Sequence, residues 1–227
     1  MKLRLLSIAA VLLLATAAFA QIATTSAPKT TSKSKSSAAP PVRTVTQDKN
    51  SVLRPPAGQP VAIVIFEDLQ CPDCARAHPL VYDIARQQKV PVVRHDFPLP
   101  KHNWSFDAAV WARYFDSKSE KLGNAFREHM YTNQPAITPE NLLDYVRKFA
   151  QANNQQLPFL MDPNQKFESA VKADYALGQK IGIQHTPTIW VVGNTRMQAT
   201  DPFIEVVDRS RMSEMIDQMR AAVAAGK

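Results

Sequence analysis

The sequence predicts an α/β domain in which a strand–helix–strand unit and a strand–strand–helix unit flank a helical insertion. Three observations carry this. Val61 to Phe66 is an unbroken apolar run, the pattern of a strand covered on both faces. The stretch after Phe97 lacks strand-like alternation for about eighty residues and carries repeated helix-start signals. Strand character then returns at Thr188 to Val192, ahead of a last segment whose apolar residues recur at helical spacing.

Taken in order, the Val61 to Phe66 strand feeds a helix over Pro72 to Gln88, and a second strand follows at Val90 to Phe97. Strand, helix and strand in that order make a right-handed crossover unit. Pro79 lies inside that helix and is expected to kink or break it, because it lacks an N–H and crowds the preceding turn. In the insertion, about 101–182, helices are expected over Asn103 to Phe115 and Leu122 to Tyr131. Thr138-Pro139-Glu140 opens another, with a capping residue and a proline at the first position, running to about Ala152. Asp162-Pro163-Asn164-Gln165 repeats the device, with Gln165 placed to complete a capping box, and that helix should reach about Lys180. Thr188 to Val192, a turn at Gly193-Asn194 and a strand at Arg196 to Ala199 read as a hairpin. Met212, Met215, Ile216, Met219 and Val223 define one face of a C-terminal helix and are expected in the core.

The chain holds only two cysteines, in Cys71-Pro72-Asp73-Cys74 between the first strand and the first helix. A helix start places Cys71 beside free backbone N–H groups and the positive end of the macrodipole, which favour a thiolate. Cys74 lies one turn further on, from where it can attack a mixed disulfide formed at Cys71. Pro72 suits the first helical position, where a missing N–H costs nothing. Spacing alone leaves other chemistry open. Cys71, Cys74, His78 and His185 could converge on copper or zinc, and a static disulfide in a non-catalytic interaction domain would also use the pair.

Residues 1–20 carry Lys2 and Arg4, an apolar stretch from Leu5 to Leu14, and small residues ending Ala18-Phe19-Ala20, the pattern of a cleaved secretory signal. No cysteine follows it to carry a lipid, and no later segment is long and apolar enough for a membrane span. An exported, periplasmic or extracytoplasmic location is therefore expected, where a dithiol can cycle through a disulfide. Residues 21–57 are rich in Ser, Thr, Ala, Lys and Pro and are expected to form a disordered linker. This tether has no sequence able to form a dimerisation domain, so a monomer is expected. The formal charge of +7 falls to +5 once Lys2 and Arg4 are removed, and much of the rest sits in the linker, so no nucleic-acid partner is expected. Residues 58–227 suffice for one domain with its own core, needing no structural disulfide.

Phe66-Glu67-Asp68-Leu69-Gln70-Cys71-Pro72-Asp73-Cys74, the Phe97-Pro98-Leu99 and His102 segment, and His185-Thr186-Pro187-Thr188 stand at separations that resemble the DsbA-like branch of the thioredoxin fold. The resemblance spans the domain from Gln59 onward. It implies a thiol–disulfide oxidoreductase acting on client proteins that carry cysteines, with Cys71 as nucleophile, Cys74 as resolving residue and a redox-active Cys71–Cys74 disulfide. It implies no organic cofactor and no metal, but a separate redox partner that resets the dithiol. It further implies a cis Thr186-Pro187 bond whose loop packs on the dithiol and holds the client backbone. Two positions depart from the family pattern. Ile65 stands where many members keep a buried acid, leaving Glu67 and Asp68 as nearer acids, and His185 stands where relatives usually have glycine. His185 is expected near Cys71 as a tuning residue. Pro72 and Asp73 are the other tuning positions. An anion at Asp73, about 6 Å from the sulfur, should cost the thiolate about 0.7 to 1.4 kcal/mol, roughly cancelling the helix end. Cys71 is thus expected only moderately below a free thiol, in a dithiol less oxidising than the strongest members.

Overall fold

A computed structural model describes residues 52–194 and 202–225. The expected signal at 1–20 and most of the 21–57 linker lie outside the described residues. Within them a four-stranded sheet has the order β2-β1-β3-β4, with β1 at Val61–Glu67, β2 at Val92–Asp96, β3 at Thr188–Gly193 and β4 at Phe203–Glu205. β1 and β2 are parallel, with Ile63 opposite Val92, and β1 and β3 are antiparallel, with Val64 opposite Trp190. Helix α1, Pro72–Gln88, connects β1 to β2 as the sequence predicts. The insertion holds α2 at Ser105–Asp116, α3 at Glu120–Asn133, α4 at Leu142–Ala152 and α5 at Lys166–Lys180; α6 closes the fold at Met212–Ala225.

All seven residues of β1 are buried, and its two faces feed two cores. Val61, Ile63 and Ile65 pack with Ala77, Val81 and Ile84 of α1 and with Met212, Ile216, Met219 and Val223 of α6. The methionine stripe is therefore core. Ala62, Val64 and Phe66 point the other way, onto Phe97, Trp190 and Ile181. Because successive side chains alternate across a strand, a run with no polar member must be covered twice. On this second face a Cβ at Gly178 of α5 would lie 2.6 Å from the Phe97 ring, so only glycine lets the helix come so close. A third core fills the insertion, where Phe115 packs at a tilt on Phe126 at 4.7 Å and meets Phe149 edge-on at 5.0 Å between ring centroids. That core includes Leu69, Cys71 and Cys74, so the cysteines lie where sheet and insertion meet.

Several local expectations change. Of the kink or break expected at Pro79, the break does not occur, and helix α1 continues to Gln88. The carbonyl that Pro79 leaves without a partner is that of Ala75, and both residues line an open cleft of about 360 Å³ where solvent can satisfy it. Helix α4 starts at Leu142, not Thr138. Asn141 accepts from the Thr138 N–H (2.7 Å) and donates to the Ala136 carbonyl (2.9 Å), folding 138–141 into a turn. Gln165 forms no capping box; its φ is +52° and its side chain caps nothing. Asp162 caps α5 alone, its carboxyl accepting from the N–H groups of Phe167 (2.9 Å) and Glu168 (2.8 Å). The strand expected at Arg196 to Ala199 lies outside the described residues, and the partner that β3 pairs with is Phe203–Glu205. Finally, Leu53 is fully buried against the second core, so packed structure begins ahead of the boundary expected at residue 57.

Candidate active site

Cys71 is the N-cap residue of α1, with Pro72 at the first helical position. The chain leaves β1 at Glu67 and turns through a Cys71 N–H to Asp68 carbonyl bond of 3.0 Å. Gln134, just after α3, braces this turn by donating to the Leu69 carbonyl (2.8 Å) and the Cys71 carbonyl (3.1 Å). Asp68 anchors it from the other side, accepting from the N–H groups of Gln70 and Leu99 at 2.7 Å each, from the Ser105 hydroxyl, and pairing with His102 Nδ1 at 2.6 Å. His102, one of the residues that carry the family resemblance, is thus a structural partner of the dithiol turn.

Both sulfurs are free thiols. Cys71 is 7% exposed and Cys74 only 1%. The Cys71 pKa is lowered from an ordinary value of 9.0 to about 5, first by a hydrogen bond from the Cys74 thiol, against the opposing effect of burial. The Thr186 hydroxyl and the first-turn amides of Cys74 and Asp73 also favour the anion, although no side-chain cap bond closes at the helix start. In the protonated form Cys71 Sγ donates to the Thr186 carbonyl at 3.2 Å. Cys74 moves the opposite way: burial pushes its thiol well above the ordinary value, and the neighbouring Cys71 and Glu67 charges add to this. The Asp68 N–H donates to Cys74 Sγ at 3.4 Å.

The lowered Cys71 value departs from the expectation of a moderate one, first through the hydrogen bond from Cys74, and the charge expected to oppose it, that of Asp73, is itself paired. Its carboxyl is held bidentately by Arg209, with Nη1 to Oδ1 at 3.0 Å and a second bond from Nη2 to Oδ2, and it also meets Arg76 at 3.1 Å. The Arg209 hydrogen bond holds Asp73 below the usual carboxylate range. An anion so compensated no longer cancels the helix end.

Thr186-Pro187 is cis, as the resemblance implies, and the loop meets the dithiol through Thr186. His185 does not. Its side chain is exposed and Nδ1 approaches the Thr188 hydroxyl at 3.3 Å. With Pro187, Asp73 and Arg209 it lines a shallow groove of about 150 Å³. His78 is buried between Tyr82 and Tyr131, ring centroids 4.6 and 4.9 Å away. Among the described residues no three His, Cys, Asp or Glu side chains converge as a metal-ligand set.

Two cations, one beside Asp73 and one beside Glu67, were not assigned from the sequence. Arg209 lies 136 residues from Asp73, and nothing local marks it. Arg94 of β2 lies beside Glu67, its Nε 2.6 Å from Oε1, an ion pair by distance whose angle falls outside hydrogen-bond geometry. Glu67 is, with Asp68, one of the two acids near the dithiol in the sequence; the parallel register, which sets Glu67 beside Asp96 and Phe66 beside His95, brings Arg94 to the neighbouring row.

The model of the family described as Thioredoxin matches residues 57–218. No curated protein matches the chain. Among solved structures, the chain is similar to alpha-DsbA1 of Wolbachia pipientis, with 16% identity, a TM-score of 0.63, and coverage of 78% of this chain and 98% of that one. It is also similar to the thiol-disulfide exchange protein alpha-DsbA2 of the same organism, at 16% identity and TM-score 0.59 over 77% and 95% of the two chains. A periplasmic thioredoxin-like protein from Salmonella enterica serovar Typhimurium matches at 20% identity and TM-score 0.57, over 73% and 87%.

Proposed function

The chain belongs to the thioredoxin family, and from that premise we propose that it is an exported thiol–disulfide oxidoreductase whose Cys71–Cys74 pair exchanges disulfides with client proteins. The observation that carries this reading is the placement of the pair: Cys71 stands at the N-cap of α1 with its Sγ 3.2 Å from the Thr186 carbonyl of the cis-proline loop, while Cys74 is buried one turn on, an arrangement that lowers the Cys71 pKa and raises that of Cys74. Such a pair separates a good leaving group from a resolving thiol.

In the oxidising direction a client thiolate attacks Cys71 of the Cys71–Cys74 disulfide. The S–S bond breaks, and Cys74 leaves as a thiolate that takes a proton. A second client thiolate then attacks the client sulfur of the mixed disulfide, and Cys71 departs as a stable thiolate. The client loses two electrons and the dithiol gains them; a separate redox partner must remove them. Stabilising the Cys71 thiolate stabilises the reduced dithiol, which favours donation of the disulfide to clients. The Thr186-Pro187 loop is the proposed seat for the client backbone, with the Thr186 carbonyl already at the sulfur. Export rests on the signal pattern of residues 1–20 and on the periplasmic setting of the Salmonella protein it is similar to. No helix among the described residues is long and apolar enough to cross a membrane.

The test is trapping with Cys74→Ala, which removes the resolving thiol and should accumulate mixed disulfides at Cys71 in the exporting cell. An absence of covalent complexes, with the variant protein folded and its remaining thiol alkylatable, would count against the reading.

A further inference from the structure

Arg209 sits in the short 3-10 turn Arg209–Arg211 ahead of α6, on the far side of the fold from α1 in sequence but at the rim of the dithiol in space. Two cations reach Asp73, and they differ. Arg76 is three residues along the same helix, with a side chain 69% exposed, the kind of solvated pair that contributes little. Arg209 is 27% exposed and grips both carboxylate oxygens, a planar fork matched to a planar anion. Its own pKa is raised, chiefly by the hydrogen bond to Asp73, with the charges of Cys74 and Cys71 also contributing, so the guanidinium lies within the field of both sulfurs. The same groove contains Glu205 and His185, and Glu67 faces Cys74 from the end of β1.

We propose that Arg209 is a positioning residue for the dithiol: by engaging the Asp73 carboxylate in a bidentate pair it keeps the anion inside the Cys-Pro-Asp-Cys sequence from opposing the Cys71 thiolate, and thereby sets how oxidising the dithiol is. This rests on the oxidoreductase reading. An acid between the two cysteines would by itself oppose the Cys71 thiolate; Arg209, by pairing both of its oxygens, removes much of that opposition. The pair also explains why the acid is tolerated at that position, where its charge would otherwise be felt by the sulfur through a half-solvated medium.

The experiment uses the full chain in four forms besides wild type: Arg209→Gln, Arg209→Lys, Asp73→Asn and the Arg209→Gln/Asp73→Asn double variant. Each is read in two ways, by the pH dependence of Cys71 alkylation with iodoacetamide and by redox equilibrium against glutathione. Arg209→Gln should shift the alkylation midpoint to higher pH and move the glutathione equilibrium about three- to tenfold toward the disulfide, roughly 15 to 30 mV. Arg209→Lys, which keeps the charge but not the fork, should recover part of this. In the Asp73→Asn background the effect of Arg209→Gln should shrink to a fraction, because little anion remains to be held. Equal effects in both backgrounds, or no effect in either, would overturn the role of Arg209 while leaving the oxidoreductase reading intact. If the wild-type dithiol neither alkylates as a thiolate nor equilibrates with glutathione, both fall.

Discussion

At Cys71 the proton is lost near pH 5, three residues from a thiol that holds its proton beyond the ordinary range. Iodoacetamide should therefore modify Cys71 with a midpoint near pH 5 and a plateau by neutrality, and should leave Cys74 untouched in the folded protein. The largest cause of the low value is the Cys74 thiol itself, so Cys74→Ala should raise the midpoint, and Cys74→Ser should raise it less because a hydroxyl can still donate. A midpoint unmoved by Cys74→Ala would assign the shift to Thr186 and the helix end. The same shift has a thermodynamic consequence with a definite sign. A group whose folded pKa is lowered contributes stability that is complete above its unfolded value, here near 9, and is lost as the pH falls through the folded value, here about 5. The urea midpoint of the reduced protein, minus that of Cys71→Ser, should accordingly rise from pH 5 toward pH 8. The oxidised protein should show no such rise, since neither sulfur can then ionise.

The turn between β1 and α1 is held less by the helix than by Asp68, whose carboxyl gathers two backbone N–H groups, His102 and Ser105 from the start of the insertion. Asp68→Asn keeps the shape but gives up one acceptor oxygen and turns a donor toward groups that already donate. It should cost roughly 2 to 4 kcal/mol in urea unfolding, because several buried partners are stranded together. A loss below about 1 kcal/mol would mean the turn is held elsewhere, for example by Gln134. Elements of this kind show what a sequence discloses. The bounds of α1, the burial of β1 and the inward face of α6 were legible because apolar period and helix-start chemistry are local. So were the cysteines and Pro72, whereas the cis Thr186-Pro187 bond was implied only by the family resemblance. The start of α4 was misread because the Asn141 side chain bonds back to Thr138 and Ala136, and local competition of that kind leaves no periodic trace. The effect of Asp73 was misread for a different reason. Its charge is offset by Arg209, a contact across 136 residues that no local pattern discloses.

Across the whole molecule, the insertion is tied to the sheet by buried charge as well as by aromatic packing. Arg127 of α3 is fully buried and forms two 2.7 Å bonds to Asp116 of α2, with Asp96 of β2 at 3.9 Å. Arg113 of α2 bridges Asp96 and Asp174 of α5, and Asp174 meets His95 of β2 at 2.8 Å. Four elements of the fold, β2, α2, α3 and α5, thus share one set of ions with little water to screen them. Burial works against the Arg127 charge, yet the Asp116 hydrogen bonds and the Asp96 and Asp116 charges raise its pKa overall. Burial pushes the Asp96 carboxyl up even with Arg127 and Arg113 beside it, so each ion here depends on its partners. Removing one ion strands the others without solvent, whereas removing a matched set does not. Arg127→Ala should therefore cost about 3 to 5 kcal/mol, a fall in Tm on the order of 10 °C or more for a domain of this size. Replacing Arg127 with Met and Asp116 with Leu together should cost distinctly less than Arg127→Ala, despite changing two residues. Thermal unfolding of the two variants beside wild type decides this. If the double replacement is as damaging as the single one, the network is held by shape and packing around Arg127, and its charges are incidental to joining insertion and sheet.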